Sequence, residues 1–333
     1  MRALQIKGYG DIKANLAFGE IKKPIIKSNQ VLVEVHSAGV NPIDYKITEG
    51  LLKSIQKLNF PAPIGFDVSG VVVEKGSDVK NLNIGDEIYS RVSSDSPGTF
   101  AEYVAIDGDL VSLKPSNVNF SEASGLPLVA LTTIQSFEKA NLKSGDKVLI
   151  HAGSGGIGTF AIQYAKSMGA YVYTTTSTKN VAWVSELGAD RVIDYKKENY
   201  LDVVNEIDVV YDTLGGNYTH DAFEVIKNGG KVISIAGEID NETAKELNLN
   251  SIIRFLLALK RRKITKQIKK KSAYYKFLLM EPSGSQLTNI KTLVESELIK
   301  PVLDKEFSFS KSIEALLYQK SGRAKGKVII KVK

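Results

Sequence analysis

The stretch Val148-Leu149-Ile150-His151-Ala152-Gly153-Ser154-Gly155-Gly156-Ile157-Gly158-Thr159-Phe160-Ala161-Ile162 constrains this chain more than any other. Its first residues are an aliphatic run that reads as a buried strand, and the residues after Gly156 read as a helix. Between the two, Gly153, Gly155 and Gly158 satisfy G-x-G-x-x-G. That spacing suits a strand that turns sharply into a helix. One glycine makes the turn, one lets a pyrophosphate approach the backbone, and one lets the helix pack on the strand. The helix start then turns free N–H groups and a positive dipole end toward the phosphates. Gly153, Ser154, Gly155, Gly156, Ile157 and Gly158 are therefore expected to hold a dinucleotide.

The surrounding pattern agrees. Strand-like runs at 147–152, 171–176, 191–194, 206–212, 231–236 and 275–280 alternate with helical runs at 156–168, 179–187 and 218–226. Such alternation implies an α/β fold with a doubly wound parallel sheet and helices on both faces. Before residue 115 the chain changes character. Short β-branched runs at 31–35, 68–74 and 87–92 are punctuated by Gly, Asn, Asp and Pro, which reads as an irregular, mostly β domain. Residues 301–310 and 328–332 return to strand character in a tail too short to fold alone. The expected organisation is a β domain, 1–120 completed by 300–333, and a dinucleotide-binding domain, 121–299. The latter opens with a helix at 121–139 that Pro127 breaks, and a further helix is expected at 285–296.

The cofactor's identity is read from the end of the next strand. An NAD site places Asp or Glu about 20 residues after the glycines, where it accepts from the ribose 2′-hydroxyl. Here the chain reads Thr174-Thr175-Thr176-Ser177-Thr178-Lys179-Asn180, with no carboxylate before Glu186. Hydroxyls and a lysine suit a 2′-phosphate, so NADPH is the expected cofactor.

Composition narrows the chemistry. The 333 residues include no Cys and three His, which excludes disulfides, a thiolate nucleophile, iron–sulfur clusters and thiolate zinc sites. His36, His151 and His220 are scattered and read as structural. No apolar run approaches about 18 residues and the first residues lack the apolar core of a signal peptide, so a cytoplasmic location is expected. The net charge of +7 comes from one segment, since ten Lys and Arg fall between Ile252 and Lys276 without an acid. Residues 252–271 read as an amphipathic basic helix. Its apolar residues are expected to cover the sheet or line the substrate cleft, with contact to an anionic membrane the less favoured alternative. No nucleic-acid partner is expected.

Three stretches carry a family resemblance: Gly39-Val40-Asn41-Pro42-Ile43-Asp44-Tyr45-Lys46, Ile64-Gly65-Phe66-Asp67-Val68-Ser69-Gly70, and His151-Ala152-Gly153-Ser154-Gly155-Gly156-Ile157-Gly158. Together they resemble the zinc-independent quinone oxidoreductase branch of the medium-chain dehydrogenase/reductase superfamily, with alkenal and enone reductases as close relatives. The resemblance runs nearly end to end, through Tyr211-Asp212-Thr213-Leu214-Gly215-Gly216 and the closing Gly322-Arg323-Ala324-Lys325-Gly326-Lys327. It implies a GroES-like β domain plus a Rossmann domain, an active site in the cleft between them, and a homodimer.

The resemblance also implies roles. Asn41, with Asp44, Tyr45 and Lys46, matches the loop lining the nicotinamide and substrate cleft, and these four are the catalytic candidates. Thr132 matches a position near the carboxamide. Ser177, Lys179 and Tyr195 match the pocket around the adenosine 2′-phosphate. Backbone of Ala236 and Gly237, and of Phe277, Leu278 and Leu279, would flank the nicotinamide. Zinc members carry Gly-His-Glu where this chain has Gly65-Phe66-Asp67, and with no Cys present no metal site is expected. Without a Lewis acid a simple alcohol is hard to oxidise, whereas a conjugated acceptor spreads charge to an oxygen that modest donors can hold. The implied activity is NADPH-dependent hydride transfer to a quinone or an α,β-unsaturated carbonyl, which the residues do not distinguish. An NADPH-binding protein with a structural, sensory or nucleic-acid-binding role and little turnover remains the second reading.

Overall fold

The computed structural model describes residues 1–53 and 57–333. The chain forms two compact units, 1–131 together with 281–333, and 132–280.

The second unit holds six strands, β1 (Lys147–Ile150), β2 (Tyr171–Thr176), β3 (Arg191–Asp194), β4 (Ile207–Asp212), β5 (Ile226–Ser234) and β6 (Tyr274–Phe277). All are parallel, in the order β3-β2-β1-β4-β5-β6. The connections run outward in opposite directions from β1 and β4, so a crevice opens at the carboxyl ends of these two strands, where open α/β sheets bind ligands. Val148, Leu149 and Ile150 are all buried, because helices cover both faces. On one face α1 (Gly156–Ser167) packs Ala161, Ile162 and Ala165 against Val148 and Ile150. On the other, Ala222 and Phe223 of α3 (Asn217–Val225) cluster with Leu149, Val210 and Val232. Between these lies α2 (Val181–Glu186), after β2.

The basic stretch forms two helices, α4 (Ser251–Lys260) and α5 (Arg262–Lys271), where one was expected. Only α5 covers the sheet, through Ile264, whereas α4 buries no side chain. The last strand ends at Phe277, short of 280, because the Phe277 N–H turns to the Asp240 carboxylate at 2.8 Å.

The first unit is built on a seven-stranded, mostly antiparallel sheet around the long strand Gln30–Val40. The C-terminal strand Lys327–Lys331 pairs with it, Val328 opposite Val40, so the tail closes this sheet. The unit also takes in Phe120–Ser124 and Gly284–Glu295, so its edges lie at 131 and 281 and not at 120 and 300. The second of these helices is held there by the Tyr89 hydroxyl, which donates to the Leu287 carbonyl, and by a 3.1 Å contact between the Ser112 and Thr288 hydroxyls. Among the described residues no helix is long and apolar enough to cross a membrane.

Candidate functional site

The glycine loop leaves β1 through Ala152, a non-glycine residue in the left-handed region with φ of 55°. The three motif glycines answer to different demands. A Cβ on Gly153 would lie 2.2 Å from the Thr174 hydroxyl, and one on Gly158 would lie 2.3 Å from the Ala152 carbonyl. Both are required by packing alone. Gly155 is different, because a Cβ there would meet only the Ala152 carbonyl at 3.3 Å. Gly155 is also the N-cap of α1 and supplies no side-chain acceptor to the helix start. Ordinary helices favour Ser, Asp or Asn at that position. A bare N-terminus with room above it is the geometry a phosphate needs, so the loop fits the pyrophosphate of a dinucleotide.

The loop is tied to the end of β2 by Asn180, which the sequence reading missed. Its amide donates to Ser154 Oγ at 3.2 Å and to Ser177 Oγ at 3.1 Å, while Trp183 Nε1 donates to its carbonyl at 3.3 Å. Thr176 and Asp194 are paired in register, so Ser177, Lys179 and Tyr195 emerge side by side at the carboxyl edge of β2 and β3. Lys179 and Tyr195 are both exposed. Asp194 is occupied by the Lys196 N–H at 3.1 Å.

Beside these residues is a cavity of about 520 Å³ lined by Thr175, Tyr195, Lys196, Tyr200, Asn217 and Tyr218 among others. His151 lies behind it, its ring centroid 5.0 Å from those of both Tyr200 and Tyr218. Burial pushes the His151 imidazole down to about 4 against the opposing pull of Asp212, so it is neutral at pH 7. Asp212, buried at the end of β4, organises the neighbouring turns. It accepts from the N–H groups of Leu214 at 3.0 Å and Gly215 at 2.8 Å, and from the hydroxyls of Thr219 and Ser234. Ser234 Oγ in turn accepts from the N–H groups of Ala236 at 3.2 Å and Gly237 at 2.8 Å. The one sequence signal for this hub is a lone Asp closing an apolar strand just before Gly215-Gly216.

The backbone expected to flank the nicotinamide, 277–279, is tied into its own unit. The Phe277 N–H is held by Asp240 and its carbonyl accepts from Thr243 Oγ1 at 2.9 Å, while Leu278 sits in the sheet core. Leu279 alone is exposed. Thr132 is buried, with its carbonyl accepting from Ser136 at 2.7 Å.

In the first unit the helix Pro42–Thr48 separates the four catalytic candidates. Tyr45 and Lys46 are half-buried and keep exposed area. Asn41 and Asp44 are 1% and 0% exposed and face inward. Asn41 Nδ2 donates to Asp67 Oδ2 at 2.8 Å and Lys327 Nζ donates to Asn41 Oδ1. Lys327 Nζ also lies 3.4 Å from Asp67 Oδ2, and the Leu128 N–H donates to Asp67 Oδ1 at 3.0 Å. The Asn41 N–H donates to Asp44 Oδ2 at 2.7 Å. The Asn41 amide is thus spent on holding its own loop. Both Asp67 and Lys327 were in view in the sequence, but nothing there joined them to Asn41.

Burial pushes the Asp44 carboxyl up to about 7, against the Asn41 N–H and with help from the Asp67 charge. In an unfolded chain the same group ionises near pH 4. Between these values the native state holds the extra proton, so its contribution to stability falls as pH rises through the window. Asp44→Asn keeps an acceptor for the Asn41 N–H and abolishes the titration. Thermal unfolding at pH 5 and pH 8 should show the variant gaining a few degrees on the parent as pH rises. Identical pH dependence in the two proteins would show that Asp44 ionises normally.

Comparisons with known proteins can be set on this geometry. Residues 27–116 match the family described as alcohol dehydrogenase GroES-like domain, and residues 187–330 match the one described as zinc-binding dehydrogenase. A 2-methylene-furan-3-one reductase of Solanum lycopersicum is 35% identical over 340 residues, covering 99% of this chain and 79% of that protein. A chloroplastic NADPH-dependent alkenal/one oxidoreductase of Arabidopsis thaliana is 34% identical with the same coverage. Among solved structures, the quinone oxidoreductase from Coxiella burnetii superposes with a TM-score of 0.86 at 33% identity, covering 100% of this chain and 99% of that one. Identity at this level along almost the whole length means more than a shared fold: the chain belongs to the quinone oxidoreductase-like branch of the medium-chain dehydrogenase/reductase superfamily.

Proposed function

We propose that the protein is an NADPH-dependent oxidoreductase that reduces quinones or α,β-unsaturated carbonyls without zinc. The observation that carries the reading is Gly155, the motif glycine that packing constrains least, placed over an uncapped helix start at the sheet's switch point. Bound NADPH supplies the hydride. Residues 153–158 would hold the pyrophosphate, and Ser177, Lys179 and Tyr195 the 2′-phosphate. Asp212, through Ser234, would set Ala236 and Gly237 at the nicotinamide. Tyr45 and Lys46 retain donors for the acceptor's oxygen, while Asn41 and Asp44 act as positioning residues for their loop. The zinc-free reading is supported by the donor set, since the chain has no Cys and carries Phe66 where zinc members carry a histidine. The conjugated acceptor is supported by the names of the tomato and Arabidopsis relatives, and a quinone by that of the Coxiella protein.

The test is the initial rate of NADPH oxidation with a short enal, a cyclic enone and a benzoquinone, with a saturated ketone as control. Turnover is expected with at least one conjugated acceptor, unaffected by a metal chelator. Tight NADPH binding with no turnover on any acceptor would favour the structural or sensory reading. The cofactor preference has its own test in Ser177→Asp combined with Lys179→Ala. Losing a charge-assisted contact and adding a repulsive carboxylate should lower kcat/KM for NADPH at least about tenfold while that for NADH holds or rises. An unchanged ratio would remove the 2′-phosphate from this edge of the sheet.

A further inference from the structure

The helix α4 is an exposed apolar surface. Ile252, Phe255, Leu256 and Leu259 are 71%, 63%, 58% and 50% exposed. Their spacing of i, i+3, i+4 and i+7 sets them along one stripe. The next helix has the opposite character. Ile264 of α5 is fully buried against the sheet, and Lys271 Nζ reaches the Ile226 carbonyl at 3.0 Å, which fixes the inner face. Arg262, Lys263, Lys266, Lys269 and Lys270 are all exposed. At 100° per residue these five occupy an outer arc of roughly 120°. Among the described residues none of the five lies within ion-pair distance of a carboxylate. Arg261, at the junction, donates to the Ile239 carbonyl and so anchors the helix pair to its own unit.

An apolar stripe in water calls for an occupant, and the charges beside it select one. A second copy of this chain meeting the patch across a two-fold axis would set the same five cations on both sides, with no acid between Ile252 and Lys276 to offset them. A nucleic acid would take the cations and leave the apolar stripe wet. An anionic bilayer satisfies both, receiving the apolar side chains at the acyl boundary and the lysines and arginines among the headgroups.

We propose that α4 and α5 dock this protein on the surface of a membrane rich in anionic lipid, with Ile252, Phe255, Leu256 and Leu259 inserted and the outer face of α5 on the headgroups. The proposal goes beyond the oxidoreductase reading and does not depend on it. Because every residue invoked is exposed, substitutions there leave the core intact, and thermal unfolding checks that they do.

The experiment is co-sedimentation of the full chain with phosphatidylcholine vesicles and with vesicles in which about a third of the lipid is phosphatidylglycerol, at low and physiological salt. Pelleting is expected with the anionic vesicles, stronger at low salt and weak on phosphatidylcholine alone. Phe255→Ser with Leu256→Ser, and separately Lys263→Glu with Lys266→Glu and Lys269→Glu, should each reduce the bound fraction roughly tenfold. Absence of pelleting, or pelleting that survives both variants, overturns the proposal. So does a dimer that dissociates in the Phe255 variant while the parent ignores vesicles. NADPH oxidation with the enal, the enone and the benzoquinone of the turnover test, measured on the same samples, keeps the two readings apart. Pelleting without turnover refutes the enzyme and leaves the docking surface, and turnover without pelleting does the reverse.

Discussion

Asp67→Ala should destabilise the protein by about 3–5 kcal/mol, the cost of leaving a buried charge without its partner. Asp67 is fully buried and is the acceptor for three donors, Asn41 Nδ2, Lys327 Nζ and the Leu128 N–H. Removing it strands the Lys327 ammonium, itself buried, and frees the Asn41 amide that the loop depends on. Lys327→Met alone should be similarly costly, because it strands the Asp67 carboxylate. The double variant Asp67→Ala with Lys327→Met should lose much less than the sum of the singles, since no buried charge then remains uncompensated. Denaturant unfolding of the four proteins measures the coupling, and additive losses would show that the pair does not interact. If the network positions the loop, the conservative Asp67→Asn should hold more of the stability while kcat falls further than KM changes. A purely structural role would leave kcat intact in every variant that folds.

The second large effect is at the glycine loop. Gly155→Val should fold with at most a small loss of stability and bind NADPH at least about 100-fold more weakly, a loss of about 2.7 kcal/mol. Residue 155 has φ of −83° and ψ of 169°, an extended conformation open to any side chain. The one atom a Cβ meets is a carbonyl oxygen 3.3 Å away, which must give by a few tenths of an ångström, a far smaller adjustment than at Gly158, and the added bulk is felt where a phosphate would approach. Gly158→Val is the contrasting control. Its Cβ would come within 2.3 Å of the Ala152 carbonyl and 2.7 Å of Gly153 Cα, so the turn itself must break and the thermal midpoint should fall. Titration of NADPH fluorescence alongside thermal unfolding separates the two. Parental affinity in a folded Gly155→Val protein would mean that the loop is a turn and not a cradle.

The features legible in the chain were those set by neighbours along it. A strand turning into a helix through G-x-G-x-x-G is local, and so is the alternation of elements that yields the parallel sheet. The missing carboxylate after β2 is equally local, and Ser177, Lys179 and Tyr195 emerge together because β2 and β3 pair in register. Pro127 broke a helix where it stood, between Phe120–Ser124 and Pro127–Ala140. Less legible was which unit a helix joins, because Gly284–Glu295 is held by the Tyr89 hydroxyl from 198 residues away.

By itself the sequence determined the two kinds of fold, the glycine loop between strand and helix, the absence of a carboxylate after β2 and the lack of thiolate ligands, since all of these follow from residue types at short spacing. Only the tertiary structure decided what long-range neighbours do. Asn41 finds Asp67 across 26 residues and Lys327 across 286, and that meeting commits its side-chain amide to contacts within its own unit. The apolar stripe of α4 was visible as a pattern, but a pattern states which face is apolar and not what covers it. The fold leaves that face uncovered, because Arg261 ends one helix and lets α5 alone return to the sheet.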